Sequence, residues 1–143
     1  MVASTRPLPD VDRPDTKPYW EATRRHELVM QRCGDCQGWI WYPQTVCHYC
    51  NSWNLVWEPV SGTGTIYSFV VVRHGLHPWF GTRLPVVSAL VELDDAPNIR
   101  LTAEIVDCAP EDVLVSMNVE VTFEDVDDRV TLPQFRPVNH GGG

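Results

Sequence analysis

The residues with most chemistry in them are two cysteine pairs, Cys33-Gly34-Asp35-Cys36 and, after ten intervening residues, Cys47-His48-Tyr49-Cys50. Two C-x-x-C pairs at this separation cap two tight knuckles, and their four thiolates complete a tetrahedron around one metal. Zinc is the ion expected, although four cysteines can also hold iron. Gly34 and Gly38 supply the backbone freedom that a knuckle needs. Pro43 stiffens the excursion between the pairs, and Asn51-Ser52 continues the second pair as turn residues. The alternative is two disulfides in a secreted chain. The opening Met-Val-Ala-Ser-Thr-Arg-Pro has no apolar run, so a reducing, cytoplasmic setting is the expectation.

Residues 73–84 are the second chemically unusual stretch. They hold His74, His77, Trp79 and Phe80 between Arg73 and Arg83. A loop so rich in aromatics is costly to leave in water, and such loops usually cover a partner or a ligand. His74 and His77 have no third metal ligand beside them. The fifth cysteine, Cys108, paired with one of the histidines, is the only visible nucleophile and base. It falls at the end of a strand, where a free cysteine is usually inert packing. No Ser-His-Asp order or paired carboxylates stand out, so catalysis by this chain alone is not expected.

These residues need a scaffold. At 143 residues and 43% apolar the chain suits one domain or two small ones. Its longest apolar runs are a few residues, too short to span a membrane. Residues 1–14, with three prolines and little to bury, form an extended arm, ordered only if something holds it. Asp15-Thr16 can cap a helix with Pro18 in its first turn, running through Tyr19, Trp20, Ala22 and Arg25. That helix either docks on the core through Trp20 or presents a ligand wall rimmed by Arg24 and Arg25. Strands at 28–32 and 39–42 flank the first knuckle. Trp39, Trp41, Trp53 and Trp57 are expected to pack around the metal. Six β-like segments follow at 55–60, 64–73, 85–93, 98–106, 119–126 and 129–135, broken by Ser-Gly, Asp-Asp, Pro and Asn. Only 110–117 has a brief helical texture. The expected fold is mainly β: an arm over 1–14, a helix and ribbon over 15–58, a five-stranded closed barrel of the OB type over 59–137, and a flexible tail over 138–143.

The net charge of −8 is uneven: residues 61–143 carry five basic and twelve acidic side chains. A ribbon joined to an OB barrel is also a nucleic-acid design, and that remains the alternative function. The acidic barrel speaks against it, because phosphates would be repelled. An iron-loaded electron carrier is a second rival, but such carriers need little besides the metal site, and most of this chain is barrel.

Taken together, the motifs resemble a family of acyl-CoA-associated proteins that join a rubredoxin-like zinc ribbon to an OB-fold, long catalogued as a domain of unknown function. The resemblance runs from Pro18 to Pro137. It rests on Pro18-Tyr-Trp-Glu-Ala22, Leu28-Val-Met-Gln-Arg-Cys-Gly-Asp-Cys36, Tyr42-Pro43 and Cys47-His-Tyr-Cys50. Val60-Ser-Gly-Thr-Gly-Thr-Ile-Tyr-Ser-Phe69 and Leu132-Pro-Gln-Phe-Arg-Pro137 complete it. Two departures stand out. His26 replaces a frequent glycine, and Ser116-Met-Asn-Val119 replaces a Gly-Met-x-Val turn. The resemblance implies metal binding by Cys33, Cys36, Cys47 and Cys50. It also implies a non-catalytic role beside a thiolase-like enzyme, in a heterotetramer built on a thiolase-like dimer, whose chemistry is thiolysis or retro-aldol cleavage of a CoA thioester, for example in the degradation of steroid side-chain or aromatic acyl-CoA. The CoA thioester would be a shared ligand. Cations beside aromatics are then the candidate surface for acyl-CoA or partner: Trp20, Arg24, Arg25, Arg32, Arg73, His74, Trp79, Phe80 and Arg83.

Overall fold

A computed structural model describes residues 6–75, 77–81 and 83–138. Apart from residue 138, the expected flexible tail lies outside the described residues. Helix α1 (Lys17–Arg24) buries Tyr19, Ala22 and Thr23 on one side. It is about two turns long rather than three, because its C-terminus closes at once. The amides of His26 and Glu27 bond back to the carbonyls of Thr23 and Ala22 at 2.9 and 3.0 Å. This six-to-one and five-to-two pattern places residue 26 in the left-handed region, and His26 has φ 59°. A glycine, which the resemblance implies at this position, would adopt that conformation without strain. Thr16 precedes the helix but makes no side-chain cap.

Strands β1 (Leu28–Cys33), β2 (Trp39–Ile40) and β3 (Leu55–Val60) form an antiparallel sheet in the order β2-β1-β3. The register of β1 on β3 runs from Leu28↔Val60 to Cys33↔Leu55. Of the six β-like segments, the first therefore belongs to the ribbon. The other five close the barrel: β4 (Thr63–Val72), β5 (Val86–Leu93), β6 (Arg100–Ile105), β7 (Asn118–Asp125) and β8 (Thr131–Pro137), in the order β4-β5-β6-β8-β7. Strand β5 alternates between half-buried and buried along its whole length, the period-two pattern of a strand with one face on the core. A register shift between Ile66 and Ser68 lets the long β4 curve around the barrel. Strands β6 and β8 run parallel and pair at one position only, Ile105↔Phe135. Tyr19 of α1 shares the core beside that seam with Leu101 and Phe135.

The stretch expected to be briefly helical holds a single 3₁₀ turn, Pro110–Asp112. It then docks on β4 through Ser116 N to Ile66 O at 2.8 Å and Ile66 N to Met117 O at 3.0 Å. Ser116 has φ 73°, a conformation that the glycine implied there by the resemblance would adopt more easily.

Leu28 and Met30 of the ribbon join Tyr19 and the barrel residues in one core, and Trp20, Trp39, Trp41 and Trp57 pack against that core. This corrects the expectation that indoles surround the metal. The two buried cysteines, Cys33 and Cys47, have a small cluster of their own with Ile40 and Leu55, and Trp53 is 75% exposed. The tryptophans face the other way because the inner surface of the ribbon sheet is spent on the barrel. Among the described residues no helix is long and apolar enough to cross a membrane.

Candidate functional site

The four cysteines converge. Their sulfurs all lie within 4.8 Å of one another. Cys33 Sγ is 3.6 Å from Cys50 Sγ, and Cys36 Sγ is 3.6 Å from Cys47 Sγ. A tetrahedron with ~2.3 Å zinc–sulfur bonds has sulfurs about 3.8 Å apart, so the cage fits zinc. A disulfide needs about 2.05 Å, and all five cysteines are free. With four protein ligands no coordination position is left open, which makes a bound ion structural rather than catalytic.

The two knuckles repeat one design. Gln37 N bonds to Cys33 O at 3.0 Å in the first, and Asn51 N to Cys47 O at 2.8 Å in the second. Amides also turn toward sulfur: Cys36 N to Cys33 Sγ and Tyr49 N to Cys47 Sγ, each at 3.4 Å. The Cys36 amide is the chief reason that the Cys33 thiol is drawn down to about 6, against the opposing effect of burial. The left-handed positions are Gln37 and Asn51, with φ 65° and 64°. Gly34 and Gly38 serve a different need from the backbone freedom expected of them. A Cβ at residue 34 would lie 2.5 Å from Asn54 Nδ2, and one at residue 38 would lie 2.7 Å from the Tyr49 ring. Around this frame the Gln31 amide clamps residue 44 from both sides, donating to Gln44 O at 3.0 Å and accepting from its amide at 2.8 Å. Asp35 accepts from Ser52 and Asn54.

The aromatic and cationic candidates do not line one groove: Trp79, Phe80 and Arg83 line one, and Trp20 and Arg24 line another. Trp79 and Phe80 sit edge to face at 5.0 Å on a 3₁₀ turn, Pro78–Phe80, capped by His77 Nδ1 accepting from Trp79 N at 3.1 Å. His77 is thus occupied in the turn, and His74 is exposed. The Trp79 indole lies between two guanidinium groups, Arg83 at 3.7 Å and Arg6 at 4.4 Å from the ring centroid. Arg6 is held in turn by a two-point bond to Glu124 at 2.7 and 2.9 Å. The costly loop is therefore covered in part by the chain's own arm. Arg25 pairs with Glu27 and Arg32 with Glu58, which leaves less cationic charge on the helix and ribbon than the composition suggests. Among the described residues Arg83 and Arg73 make no ion pair.

Two neighbouring grooves run along the face formed by arm, helix and strands β6 and β8. The larger, about 560 Å³, is walled by Tyr19, Trp20, Trp41, Tyr42 and Leu132. The smaller, about 250 Å³, lies under Trp79, Phe80 and Arg83. Glu104 and Gln134 border both.

Family models for the ChsH2 rubredoxin-like zinc ribbon domain and the ChsH2 C-terminal OB-fold domain match residues 20–55 and 57–124. A DUF35 domain-containing scaffold protein of Methanocaldococcus jannaschii is 36% identical over 124 residues, covering 81% of this chain and 85% of that protein. The chain belongs to the DUF35 family. A protein of Thermomonospora curvata named "Probable enoyl-CoA hydratase alpha subunit" is 37% identical over 132 residues. Those residues are 92% of this DUF35 chain but only 40% of that relative. The solved structure titled "Ltp2-ChsH2(DUF35) aldolase" superposes with a TM-score of 0.80 at 35% identity, covering 92% of this chain and 98% of the other.

Cys108 is not a poised nucleophile in this DUF35 chain. Burial, and then Asp112, push its thiol up, and its Sγ–H faces the neighbouring carbonyl of Ala109 at 3.5 Å. Sequence reasoning did not name Arg6, Tyr42, Glu104 or Gln134 as candidates. The arm, the ribbon and strands β6 and β8 bring them to the grooves only in the folded chain.

Proposed function

We propose that this chain is a non-catalytic, zinc-stabilised subunit of a thiolase-like enzyme that cleaves or forms a carbon–carbon bond in an acyl-CoA thioester. The observation that carries this reading is the likeness, over 98% of its partner chain in the superposition, to the DUF35 chain of a structure titled as an aldolase. It is supported by a metal cage with no open position and by a cysteine held away from reactivity. Assembly is around a thiolase-like dimer, as a heterotetramer.

Within that reading, the loop over the smaller groove helps to close the acyl-CoA site. CoA carries phosphates and a thin apolar arm, so it needs cations beside aromatic walls. Arg83 on Trp79, with Arg73 at the other end of the loop, offers both. Arg24, Arg25 and Arg32 are less suited, since two of the three are neutralised by glutamates.

Co-purification of an untagged thiolase-like protein with the tagged chain is the first test, and recovery of the chain alone overturns the reading. Truncating Trp79 and Phe80 to Ala tests the loop. Intact assembly with KM for the CoA substrate raised about tenfold supports a shared site, the pattern of lost ground-state binding. Loss of assembly alone reduces the loop to an interface hot spot.

A further inference from the structure

The smaller groove is filled from within. Arg6 of the arm lines it, 118 residues away in sequence from its main partner, Glu124. Its two terminal nitrogens donate to the two carboxylate oxygens at 2.7 and 2.9 Å, and its guanidinium lies 4.4 Å from the centre of the Trp79 ring. A parallel fork on a carboxylate, laid over an indole, suits a planar guanidinium and not an ammonium.

An ordinary surface ion pair has no supporting layer. This one does. Gln134 is buried, and its Nε2 donates to Glu124 Oε1 at 2.9 Å, which fixes the carboxylate that receives the fork. Glu104 is half-buried and borders the same groove. Desolvation and then Glu124 push its carboxyl up, and Arg6 opposes them. Lifting Arg6 away would leave two neighbouring carboxylates without the cation they share. Arg83 does not replace it, since its guanidinium is turned to the Trp79 carbonyl, 2.7 Å away.

Apart from this plug the arm is loosely tied. Among the described residues, 6–12 make no backbone–backbone hydrogen bond, and the ion pair of Asp12 with Arg129 joins two exposed side chains. An incoming arginine therefore has one side chain to displace. Charge and tethering together identify its source. Two carboxylates repel a phosphate or an acidic segment, and a second copy gains nothing by exchanging an arm already tethered beside its own site. An arginine on a docked protein competes on equal terms, because docking makes it local as well.

We propose that the smaller groove is an arginine-recognition site, filled by Arg6 in the free chain and taken over by an arginine of a partner protein on assembly, which releases the arm. The inference goes beyond the acyl-CoA reading and does not rest on it.

Arg6 lies outside both cores, so Arg6→Ala opens the site without unfolding the chain. The full, zinc-loaded chain, labelled with fluorotryptophan, is titrated with N-acetyl-arginine methylamide, whose only charge is its guanidinium. The fluorine resonance followed is that of Trp79, identified by its loss in Trp79→Phe. Arg6→Ala should show a saturable shift. The parent should bind about three- to fivefold more weakly, because the docked arm leaves only part of the population competent. The lysine counterpart should bind the variant at least about threefold more weakly than the arginine compound, and the uncharged citrulline counterpart should not saturate. Adding Glu124→Gln to Arg6→Ala should abolish saturation. No saturable shift in Arg6→Ala overturns the proposal, as does equal affinity of parent and variant, or of lysine and arginine. Sedimentation tests the occupant: the parent chain should stay monomeric. A concentration-dependent dimer that Arg6→Ala abolishes would give the groove to the arm of a second copy and overturn its assignment to a partner protein.

Discussion

At the scale of single residues, His26 and Ser116 are two of the five described non-glycine residues in backbone shapes that glycine adopts more easily. A non-glycine residue in the left-handed region costs about 1–2 kcal/mol, and a glycine loses roughly 0.5–1 kcal/mol more entropy on folding. Among the described residues Ser116, at φ 73°, makes no side-chain hydrogen bond that offsets the difference. Ser116→Gly should therefore raise stability by up to about 1 kcal/mol, read as a higher urea midpoint with unchanged slope. A lower midpoint would mean that the turn is not strained. His26→Gly should gain less or lose, because His26 Nε2 contacts both Asp125 oxygens at 2.9 and 3.0 Å and its ring stacks on Phe123 at 5.2 Å. The metal site was legible at this scale, since four cysteines at ribbon spacing have few other uses. The purpose of Gly34 and Gly38 was not. The atoms that crowd them belong to Asn54 and Tyr49, which come close only once the second knuckle folds back.

At the scale of elements, the arm shows what alternation and propensity cannot reveal. Residues 1–14 read as an extended segment awaiting a partner, and that partner is the chain's own barrel, through Arg6 to Glu124 and Asp12 to Arg129. Both are long-range pairs, the first with Arg6 only 17% exposed and the second between exposed side chains, invisible to any local pattern. The pH dependence follows from the sign of one shift. The bond from Arg6, with Gln134 assisting, holds the Glu124 carboxyl below its ordinary value. A depressed carboxylate contributes stability that is fully present above its unfolded pKa, about 4.3 for Glu, and that is lost as pH falls through the lower folded value. The arm should thus stay docked at neutral pH and loosen in acid. Glu124→Gln removes the charge without the volume, and should speed amide exchange over residues 8–13 about two- to fivefold at pH 7, within the modest worth of such pairs. Unchanged exchange would show that packing against Trp79, not the ion pair, holds the arm. The comparison at pH 7 also avoids any loss of metal in acid.

At the scale of the whole molecule, two cores of unequal size meet along β1. Ribbon first and barrel second was legible from cysteine spacing followed by alternating segments. The sharing of β1 was not, because the assignment of residues 55–60 to the ribbon sheet is a matter of long-range register. That sharing decides how the protein should respond to metal loss. The inner residues of the helix and ribbon, Tyr19, Leu28 and Met30, belong to the barrel core, whereas the knuckles have only Ile40 and Leu55 besides the sulfurs. Metal binding energy is folding energy for a region too small to pack alone. Chelation should therefore melt the knuckles, residues 33–54, and spare the barrel. Amide exchange ought to rise by orders of magnitude over 33–54 and little over β4 to β8. The near-ultraviolet signal of Trp20 and Trp57, which lie outside that segment and pack on the barrel core, should persist. Metal analysis of the untreated chain should give one zinc per chain. If the barrel strands lose protection together with the knuckles, β1 couples the two cores into one cooperative unit, and the ion stabilises the whole fold rather than its ribbon.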